Sequence, residues 1–443
     1  MKKGEKILGK GMHGCAIYGK PLTCLNSPKI NDNKLIKILI DKDDFLEEIN
    51  NTLLINFIDK SNTSIKIEDS CIIDISKITD EDDKQKIISC KLNNTDTKDS
   101  SKSSEGTNAS ILDNKLYQII YNKKDIGIDL KKLILTNKIS LEKILAMSLR
   151  LYESLFLYSK YEICFMDLKP DNVIYIKNRD KLKFIDYGII SNYNKVLLTQ
   201  EYLTFDYPFY PPELKLIYSI NNKKNFDDFL STFLQNFIFS DVIDLKNILF
   251  KIYPKFEKDL HDIYDYYMSF KQKYPSHNAA DFFSNEDKSK IHLYSLSMLL
   301  LDLIAIYDSK NFEIKDKDFV TDFIKNVILP SISFNTRKRF SIEDTINSIK
   351  LLKSKNSEIN KIIHDENLLN NINAIKTKHR KIKEKNAPLQ SSIIYNKDLL
   401  ENIKKCDKTK SYYLLLAKKH NIKNRYKMKK IDLCNLLQQK VKL

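Results

Sequence analysis

The pattern of apolar and polar positions changes from strand-like to helix-like near Leu130. Short apolar or alternating segments predict strands at 5–8, 15–18, 34–40 and 116–121. After Leu130 the apolar residues follow helical spacing, most clearly over 140–158, where Ser140 is a candidate helix start. The pattern therefore predicts an α+β chain in which a small β-rich region precedes a larger helical region.

Three stretches interrupt this pattern. Residues 59–113 contain few aromatic residues, an acidic run and a polar tract, which predicts a low-complexity insertion with a disordered second half. Residues 221–290 have an apolar periodicity of their own and predict an inserted helix. Residues 354–388 are polar and basic, which is typical of a linker. The predicted domains are therefore 1–122, 123–353 and a C-terminal module at 389–443.

The net charge of +16 is concentrated at the C-terminal end of the chain. Residues 376–443 contain 20 Lys and Arg against 5 Asp and Glu, a net +15, so the first 375 residues carry only +1. Partners attracted by positive charge, such as nucleic acid or an acidic protein, are therefore expected at the tail.

Cysteine usage and hydropathy narrow the class of protein further. The seven cysteines are odd in number and form no C-x-x-C pair, which argues against a disulfide framework or a zinc finger and favours a reducing, cytoplasmic compartment. No eighteen consecutive residues are apolar and the first residues form no apolar signal core. We therefore expect neither a membrane span nor a secretory signal.

A glycine pattern, G-x-G-x-x-G, is formed by Gly9, Gly11 and Gly14 between two predicted strands. Glycine is scarce in this chain, with 8 in 443 residues, so the clustering is informative. Without side chains, backbone N–H groups can approach phosphates closely. No acidic residue follows at the distance expected in a dinucleotide-binding fold. A phosphate-binding hairpin and a plain tight hairpin both stay open.

Lys37 is the single charge within residues 35–40, the apolar part of the predicted strand. An inward-facing ammonium needs an anionic partner, because burying it unpaired is costly. A helical pattern begins downstream at Asp44, and it contains Glu48, which we favour as the partner, and Glu47 as the alternative. A lysine in a strand can equally be a surface residue.

Two further motifs follow the predicted helix at 140–158. The first places Asp167, Lys169 and Asn172 before an apolar strand, and the second ends a strand at Asp186, with Gly188 behind it. Phosphoryl transfer needs a carboxylate to orient the attacking hydroxyl, a cation for the transferred charge, and oxygen ligands for magnesium. Either motif alone could be an ordinary Asx turn, but their order after the glycine pattern and Lys37 favours this chemistry.

This ordered set, closed by Tyr-Pro-Pro-Glu at 210–213, resembles the signature of eukaryotic-type serine/threonine protein kinases over residues 4–350. The segment at 14–24 and the Tyr-Pro-Pro-Glu ending look like kinases encoded by large and giant DNA viruses, which implies the host cytoplasm or the virion. The resemblance implies a two-lobed kinase fold, ATP and Mg²⁺ (or Mn²⁺) as cofactors, and a protein substrate with Ser or Thr.

The resemblance also implies roles for individual residues. Asp167 would accept the proton, Lys169 would contact the γ-phosphate, Lys37 paired with Glu48 would hold the phosphates, and Asn172 and Asp186 would hold the metal. Two segments would bind the nucleotide. The first is the glycine hairpin with Gly9, Lys10, Gly11, Met12, His13, Gly14 and Cys15, and the second is the adenine-binding connection at Ile120, Tyr121 and Asn122.

The chain departs from the kinase pattern at three positions. Phe165 and Met166 replace the usual His-Arg before Asp167, so activity is not expected to depend on phosphorylation of the activation segment. His292 stands where an anchoring aspartate is expected, which puts the support of the Asp167 loop in doubt. Arg339, in contrast, could pair with Glu213 as the late arginine of the family does, or could lie in a solvated basic turn.

The C-terminal module resembles the SAP and Rho-N-like helix-extension-helix modules over some thirty residues, which implies nucleic-acid binding. The candidate phosphate contacts are basic residues of its centre: Lys423, Arg425, Lys427, Lys429 and Lys430. A solvated helical pair is the alternative. The sequence thus predicts an ATP-dependent serine/threonine kinase, with a catalytically weak pseudokinase or a scaffold that binds nucleic acid or protein through its tail as the other hypothesis.

Overall fold

The protein is described from a computed structural model. The described residues are 6–11, 14–24, 30, 32–59, 62–91, 115–193, 196, 209–221, 227, 256–274, 279–283, 285–355 and 435. Contacts within the chain divide it into two units, Met1–Leu368 and Leu369–Leu443. The division falls inside the predicted linker, and the predicted C-terminal module lies outside the described residues except for Asn435.

The β-rich region is a five-stranded antiparallel sheet. Its strands lie in the order β1-β2-β3-β5-β4, and their bounds are β1 Lys6–Gly11, β2 Gly14–Gly19, β3 Lys34–Leu39, β4 Ile67–Asp74 and β5 Lys115–Tyr121. The four strands predicted from the sequence correspond to β1, β2, β3 and β5. Because successive side chains of a strand point to opposite faces, Ile36 and Ile38 face one side of the sheet and Lys37 faces the other.

One helix covers each face of this sheet. On one face, Ile87 of α2 (Glu81–Lys91) belongs to a core cluster with Ile36, Ile38 and Ile120. On the other face, α1 (Lys42–Ile58) packs through Phe45, whose ring centroid lies 5.0 Å from that of Tyr117. Lys37 therefore points from β3 towards α1.

The predicted low-complexity insertion at 59–113 begins too early. Its first half contains β4, which pairs with β5 along its whole length, and α2, which packs against the sheet. β4 is an edge strand, where exposed polar side chains such as Glu68 and Asp69 are tolerated. The second half of the insertion, for which disorder is predicted, begins within α2, so that prediction is wrong up to Lys91. Its remainder, residues 92–113, lies outside the described residues.

Two disulfides lie in the β-rich region, and the exclusion of a disulfide framework is therefore wrong here. Cys15 of β2 is bonded to Cys90 of α2, and Cys24 is bonded to Cys71 of β4. Scattered cysteines give no indication of which ones meet in space, so sequence spacing could not find these pairs. The expectation of a reducing compartment loses the support that it drew from the cysteine pattern.

The helical region begins with a short helix, a long buried helix and a set of short strands. The bounds, in chain order, are β6 Ile128–Asp129, α3 Leu130–Leu135, α4 Leu141–Lys160, β7 Ile163–Phe165, β8 Val173–Ile176, β9 Lys181–Phe184 and β10 Ile190–Asn192. As predicted, Ser140 caps α4, and its side chain accepts a hydrogen bond from the backbone N–H of Lys143. β6, β8 and β9 form a three-stranded sheet, and β7 pairs with β10.

Helices dominate the rest of the described chain. They are α5 Pro212–Asn221, α6 Phe256–Lys273, α7 Ala279–Phe282, α8 Asn285–Ser309, α9 Lys317–Phe323 and α10 Ile342–Lys355. α6 and α7 lie within the predicted insertion at 221–290; its predicted helix around Phe226 and Phe237 lies outside the described residues. Within α8, the segment Asp287–Ser309 is long and apolar enough to cross a membrane, but 94% of its most apolar window is buried inside the protein.

Candidate functional site

Lys37 and Glu48 form an ion pair between β3 and α1. Lys37 Nζ lies 2.5 Å from Glu48 Oε2. Glu48 is buried on the face of α1 that packs against the sheet, whereas Glu47 is exposed. Helical geometry explains the difference, since adjacent residues on a helix point about 100° apart. The structure thus pairs Lys37 with the favoured glutamate.

Asp186 extends this pair towards solvent. Its Oδ1 lies 2.8 Å from Lys37 Nζ, and its side chain is 40% exposed, compared with 4% for that of Glu48. The backbone of Asp186 has a φ of 63°, in the left-handed region that non-glycine residues seldom adopt. Such conformations persist only where surrounding contacts hold them, and they cluster at functional sites.

The three charged groups form a line from the protein interior to the surface. Burial alone would lower the pKa of Lys37, but the negative charges of Glu48 and Asp186 outweigh burial and raise that pKa above its ordinary value. Lys37 is therefore a permanent cation. Its ammonium joins a buried carboxylate to an open one, so a phosphate that approaches from the Asp186 side meets a fixed positive charge.

A second cluster surrounds Asp167, just after β7. Lys169 Nζ lies 2.8 Å from Asp167 Oδ2. Asn172 donates from its Nδ2 to the same oxygen at 2.7 Å and to the Asp167 backbone carbonyl at 2.9 Å. These bonds fix the orientation of the Asp167 carboxylate and leave it with a cation at its side.

The β8–β9 hairpin brings the two clusters to one place. β8 starts directly after Asn172 and β9 ends two residues before Asp186, with Val173 paired to Phe184. The backbone N–H of Ile185 donates to the Asn172 carbonyl at 2.9 Å. Asn172 and Asp186 therefore lie at the same end of one hairpin.

The two residues predicted as metal ligands, Asn172 and Asp186, suit a cation whose other ligands are phosphate oxygens. Because Asn172 uses its Nδ2 on Asp167, it would meet a cation through its amide oxygen, and Asp186 would supply a carboxylate oxygen. Among the described residues no cluster of three or more His, Cys, Asp or Glu side chains is arranged to hold a metal. Magnesium commonly takes only one or two protein ligands beside water and phosphate oxygens, so a two-ligand set suits it.

The predicted glycine hairpin is formed by β1 and β2, and its glycines differ in their surroundings. A Cβ at Gly14 would lie 2.1 Å from the carbonyl oxygen of Ile38, so packing against β3 requires glycine there. A Cβ at Gly9 would meet nothing within 4 Å, which leaves open space beside it. Gly11 pairs with Gly14 across β1 and β2. Met12 and His13 lie outside the described residues, as does the side chain of Lys10.

Cys15 differs from its predicted role as a nucleotide-binding side chain. Its side chain is buried in the core on the α2 face of the sheet and is bonded to Cys90. Lys37 faces the opposite side, because Cys15 pairs with Ile38 and not with Lys37. The side chain of Cys15 is therefore part of the core, and only its backbone belongs to the hairpin.

The predicted adenine-binding connection lies at the end of β5. Ile120 packs into the core cluster on the α2 face, and Asn122 caps the short turn that follows, accepting a hydrogen bond from Lys124 N–H. Tyr121 points to the opposite face, where its hydroxyl donates to Glu48 Oε1 at 2.6 Å. Adenine binding by this segment stays a prediction that would involve its backbone.

Three contacts near the site were not found from the sequence. Asn51 of α1 donates from its Nδ2 to the Tyr187 carbonyl at 2.8 Å, and Tyr121 binds Glu48. Lys183, fully buried in β9, lies 2.7 Å from buried Asp125. Lys183 carries a signal similar to that of Lys37, a lysine between apolar residues of a strand, and that signal could have found it. The other two contacts depend on how α1 packs.

Arg339 and the three positions that depart from the kinase pattern have defined surroundings. Arg339 forms two hydrogen bonds with Glu213, at 2.7 and 2.9 Å, and both side chains are buried, so the solvated alternative is wrong. His292 is fully buried, with Nε2 3.2 Å from the hydroxyl of Tyr193. Phe165 packs edge-on against Phe184, and Met166 belongs to a core cluster with Cys164.

No protein-family model matches this chain, and no curated protein is significantly similar to it.

Proposed function

We propose that this chain is an ATP-dependent protein kinase, with a kinase-like fold, that transfers the γ-phosphate to a Ser or Thr hydroxyl of a protein. The observation that carries the proposal is the meeting of two groups: the Glu48–Lys37–Asp186 line and the Asp167–Lys169–Asn172 cluster, joined by one hairpin. Their residue types and order supply the positive charge, metal ligands and proton acceptor that phosphoryl transfer needs.

In this reading the chain's own residues orient and neutralise the reactants. The Lys37 ammonium binds phosphate oxygens and is kept charged by its two carboxylate partners. Asn172 and Asp186 would hold magnesium, which offsets the negative charge of the phosphates when it is bound. Asp167, oriented by Asn172, accepts the proton of the attacking hydroxyl, while Lys169 lies beside it and stabilises negative charge on the transferred group.

The bonds balance in a single displacement. The substrate hydroxyl oxygen bonds to the γ-phosphorus, and the bond from that phosphorus to the β,γ-bridging oxygen breaks. The electron pair leaves with ADP, and the hydroxyl proton passes to Asp167. Most of the rate enhancement would come from positioning and charge stabilisation.

The test is transfer of label from γ-labelled ATP, with Mg²⁺, to a generic basic protein. Asp167→Asn keeps the shape of the side chain but removes the proton acceptor, so we expect the rate to fall by roughly 10²-fold or more. Asp171→Asn is the matched control, because Asp171 is an exposed aspartate in the same turn. An unchanged rate in Asp167→Asn, or equal losses in the two variants, would contradict the proposal.

A further inference from the structure

We propose that Tyr121 is a positioning residue for this phosphoryl transfer: its hydroxyl holds one oxygen of Glu48 so that the other faces Lys37. Tyr121 donates to Glu48 Oε1 at 2.6 Å, and Lys37 Nζ lies 2.5 Å from Glu48 Oε2. The two oxygens of one carboxylate are thus divided between two partners. The inference rests on the proposed function and assigns the side chain of Tyr121 a role different from adenine binding.

Strand register places Tyr121 and Lys37 on the same face of the sheet. Lys37 lies opposite Ile119, and Leu35 lies opposite Tyr121, in the antiparallel pair of β3 and β5. Residues directly opposite each other point to the same face, as do residues two apart in one strand. Both side chains therefore face α1, and Glu48 enters between them.

Because Glu48 is buried, its carboxylate depends on the Tyr121 hydroxyl as a hydrogen-bond donor. Glu48 and Tyr121 are each only 3% exposed, so water gives little help to the Glu48 carboxylate. A buried acceptor that loses its donor keeps the full cost of having been removed from water. Without the Tyr121 hydroxyl, Glu48 Oε1 would lack a hydrogen-bond donor. The Glu48 carboxylate would then rotate away from Lys37 or become protonated.

The groups around Glu48 determine how removal of the Tyr121 hydroxyl would change the pKa of Glu48. They are Lys37 from β3, Tyr121 from β5 and, at longer range, Asp186 after β9. Burial raises the pKa of Glu48, and the hydrogen bonds from Lys37 and Tyr121 oppose this rise. Removing the Tyr121 hydroxyl is therefore expected to raise that pKa further, so Glu48 would lose its charge at a higher pH.

The experiment compares Tyr121→Phe with Tyr117→Phe in the full chain. Tyr117 is the matched control because it is a buried tyrosine on the same strand and face, and its ring packs against Phe45. Between about pH 5 and about pH 9, kcat and KM for ATP are measured together with the urea midpoint of unfolding. The unfolding measurement does not depend on activity.

We expect Tyr121→Phe to lower kcat roughly fivefold at neutral pH, with the acid limb of its pH profile moved to higher pH. Its loss of stability should be larger at high pH, where Glu48 is charged and lacks its donor, than at low pH, where Glu48 is protonated. Tyr117→Phe should show neither pH dependence.

Two outcomes separate this inference from the proposed function. If Tyr121→Phe behaves like Tyr117→Phe in both measurements, the inference is overturned while the kinase proposal stands. If the wild-type chain transfers no phosphate, the proposed function is overturned. In that case a stability loss that grows with pH in Tyr121→Phe alone would still support the hold on Glu48, and a loss independent of pH would overturn it.

Discussion

At the scale of single residues, His292 is a basic group fully enclosed by the protein. Its side chain is fully buried, its Nε2 contacts the Tyr193 hydroxyl, and its Nδ1 has no hydrogen-bond partner in the described part of the chain. Burial lowers the pKa of His292 to about 3. The ring is therefore neutral in the folded protein at physiological pH, and it replaces the anionic anchor expected from the kinase pattern by a neutral one.

This difference in pKa predicts a loss of stability in acid. The unfolded chain takes up a proton on this histidine below about pH 6.5, whereas the folded chain does so only near pH 3, so stability falls as the pH drops between these values. The contribution is at most about 1.4 kcal/mol per pH unit. We expect His292→Gln to flatten the dependence of the unfolding free energy on pH in this window.

Urea unfolding at several pH values measures this slope. His261→Gln is the control, because His261 is an exposed histidine on α6. Curves for wild type and His292→Gln that run parallel from neutral to acid pH would refute the effect.

At the scale of elements, α1 connects the sheet to the Asp186 turn. Glu48 reaches Lys37 from this helix, and Asn51, one turn later, binds the Tyr187 carbonyl. Asp41 caps the helix and accepts hydrogen bonds from two backbone N–H groups of its first turn. The position of α1 is therefore set by bonds to both β3 and the Asp186 turn. That the proposed activity needs no phosphorylated activation segment stays a prediction.

Asn51 gives a test of this connection. Asn51→Ala removes a hydrogen bond with a net value of about 1 kcal/mol, so we expect phosphate transfer to slow roughly fivefold. Asn50→Ala makes the same change of residue at an exposed position of the same helix and should leave the rate nearly unchanged. The test compares the phosphate-transfer rates of the two variants under identical conditions. Equal effects would show that α1 does not act through Asn51.

The elements also show where sequence patterns succeed and fail. Alternation predicted β3 and the face of Lys37, and helical spacing predicted α4 with its cap at Ser140. The pattern does not predict β4 and α2, because their many polar residues are also typical of a solvated tract. The acidic residues Glu81, Asp82 and Asp83 instead occupy the first turn of α2, where negative charge stabilises a helix.

The candidate site likewise contains some contacts that the sequence predicts and others that it does not. Residues within one motif, such as Asp167 and Asn172, could be placed from local spacing because a few turns connect them. Tyr121 and Glu48 are 73 residues apart, and their contact depends on strand register and helix packing together. Neither property can be read from the local sequence around either residue.

At the scale of the whole molecule, charge is divided unequally along the chain. The first 375 residues carry a net +1 and the remainder a net +15. Polyanions are attracted by such a tail through release of counterions, which makes binding steeply dependent on salt. The hypothesis that the tail binds nucleic acid or an acidic protein can thus be tested separately from the proposed catalysis in the body.

Replacing five basic tail residues tests this hypothesis in the full chain. We expect glutamine at positions 423, 425, 427, 429 and 430 to weaken binding to duplex DNA or RNA and to reduce its salt dependence, measured by fluorescence anisotropy from about 50 to about 200 mM salt. The control replaces five exposed lysines of the body: Lys42, Lys77, Lys84, Lys123 and Lys124. Binding that is absent or insensitive to salt in the wild type would contradict the hypothesis.

The two disulfides of the β-rich region restrict the unfolded state of this protein. They join residues 75 and 47 positions apart, so an oxidised chain that has lost its fold still carries two closed covalent loops. Such loops limit the conformations of the unfolded ensemble, which is the reference for every measured stability. Free energies obtained with and without a thiol reductant therefore refer to two different unfolded states, and variants are comparable only within one of them.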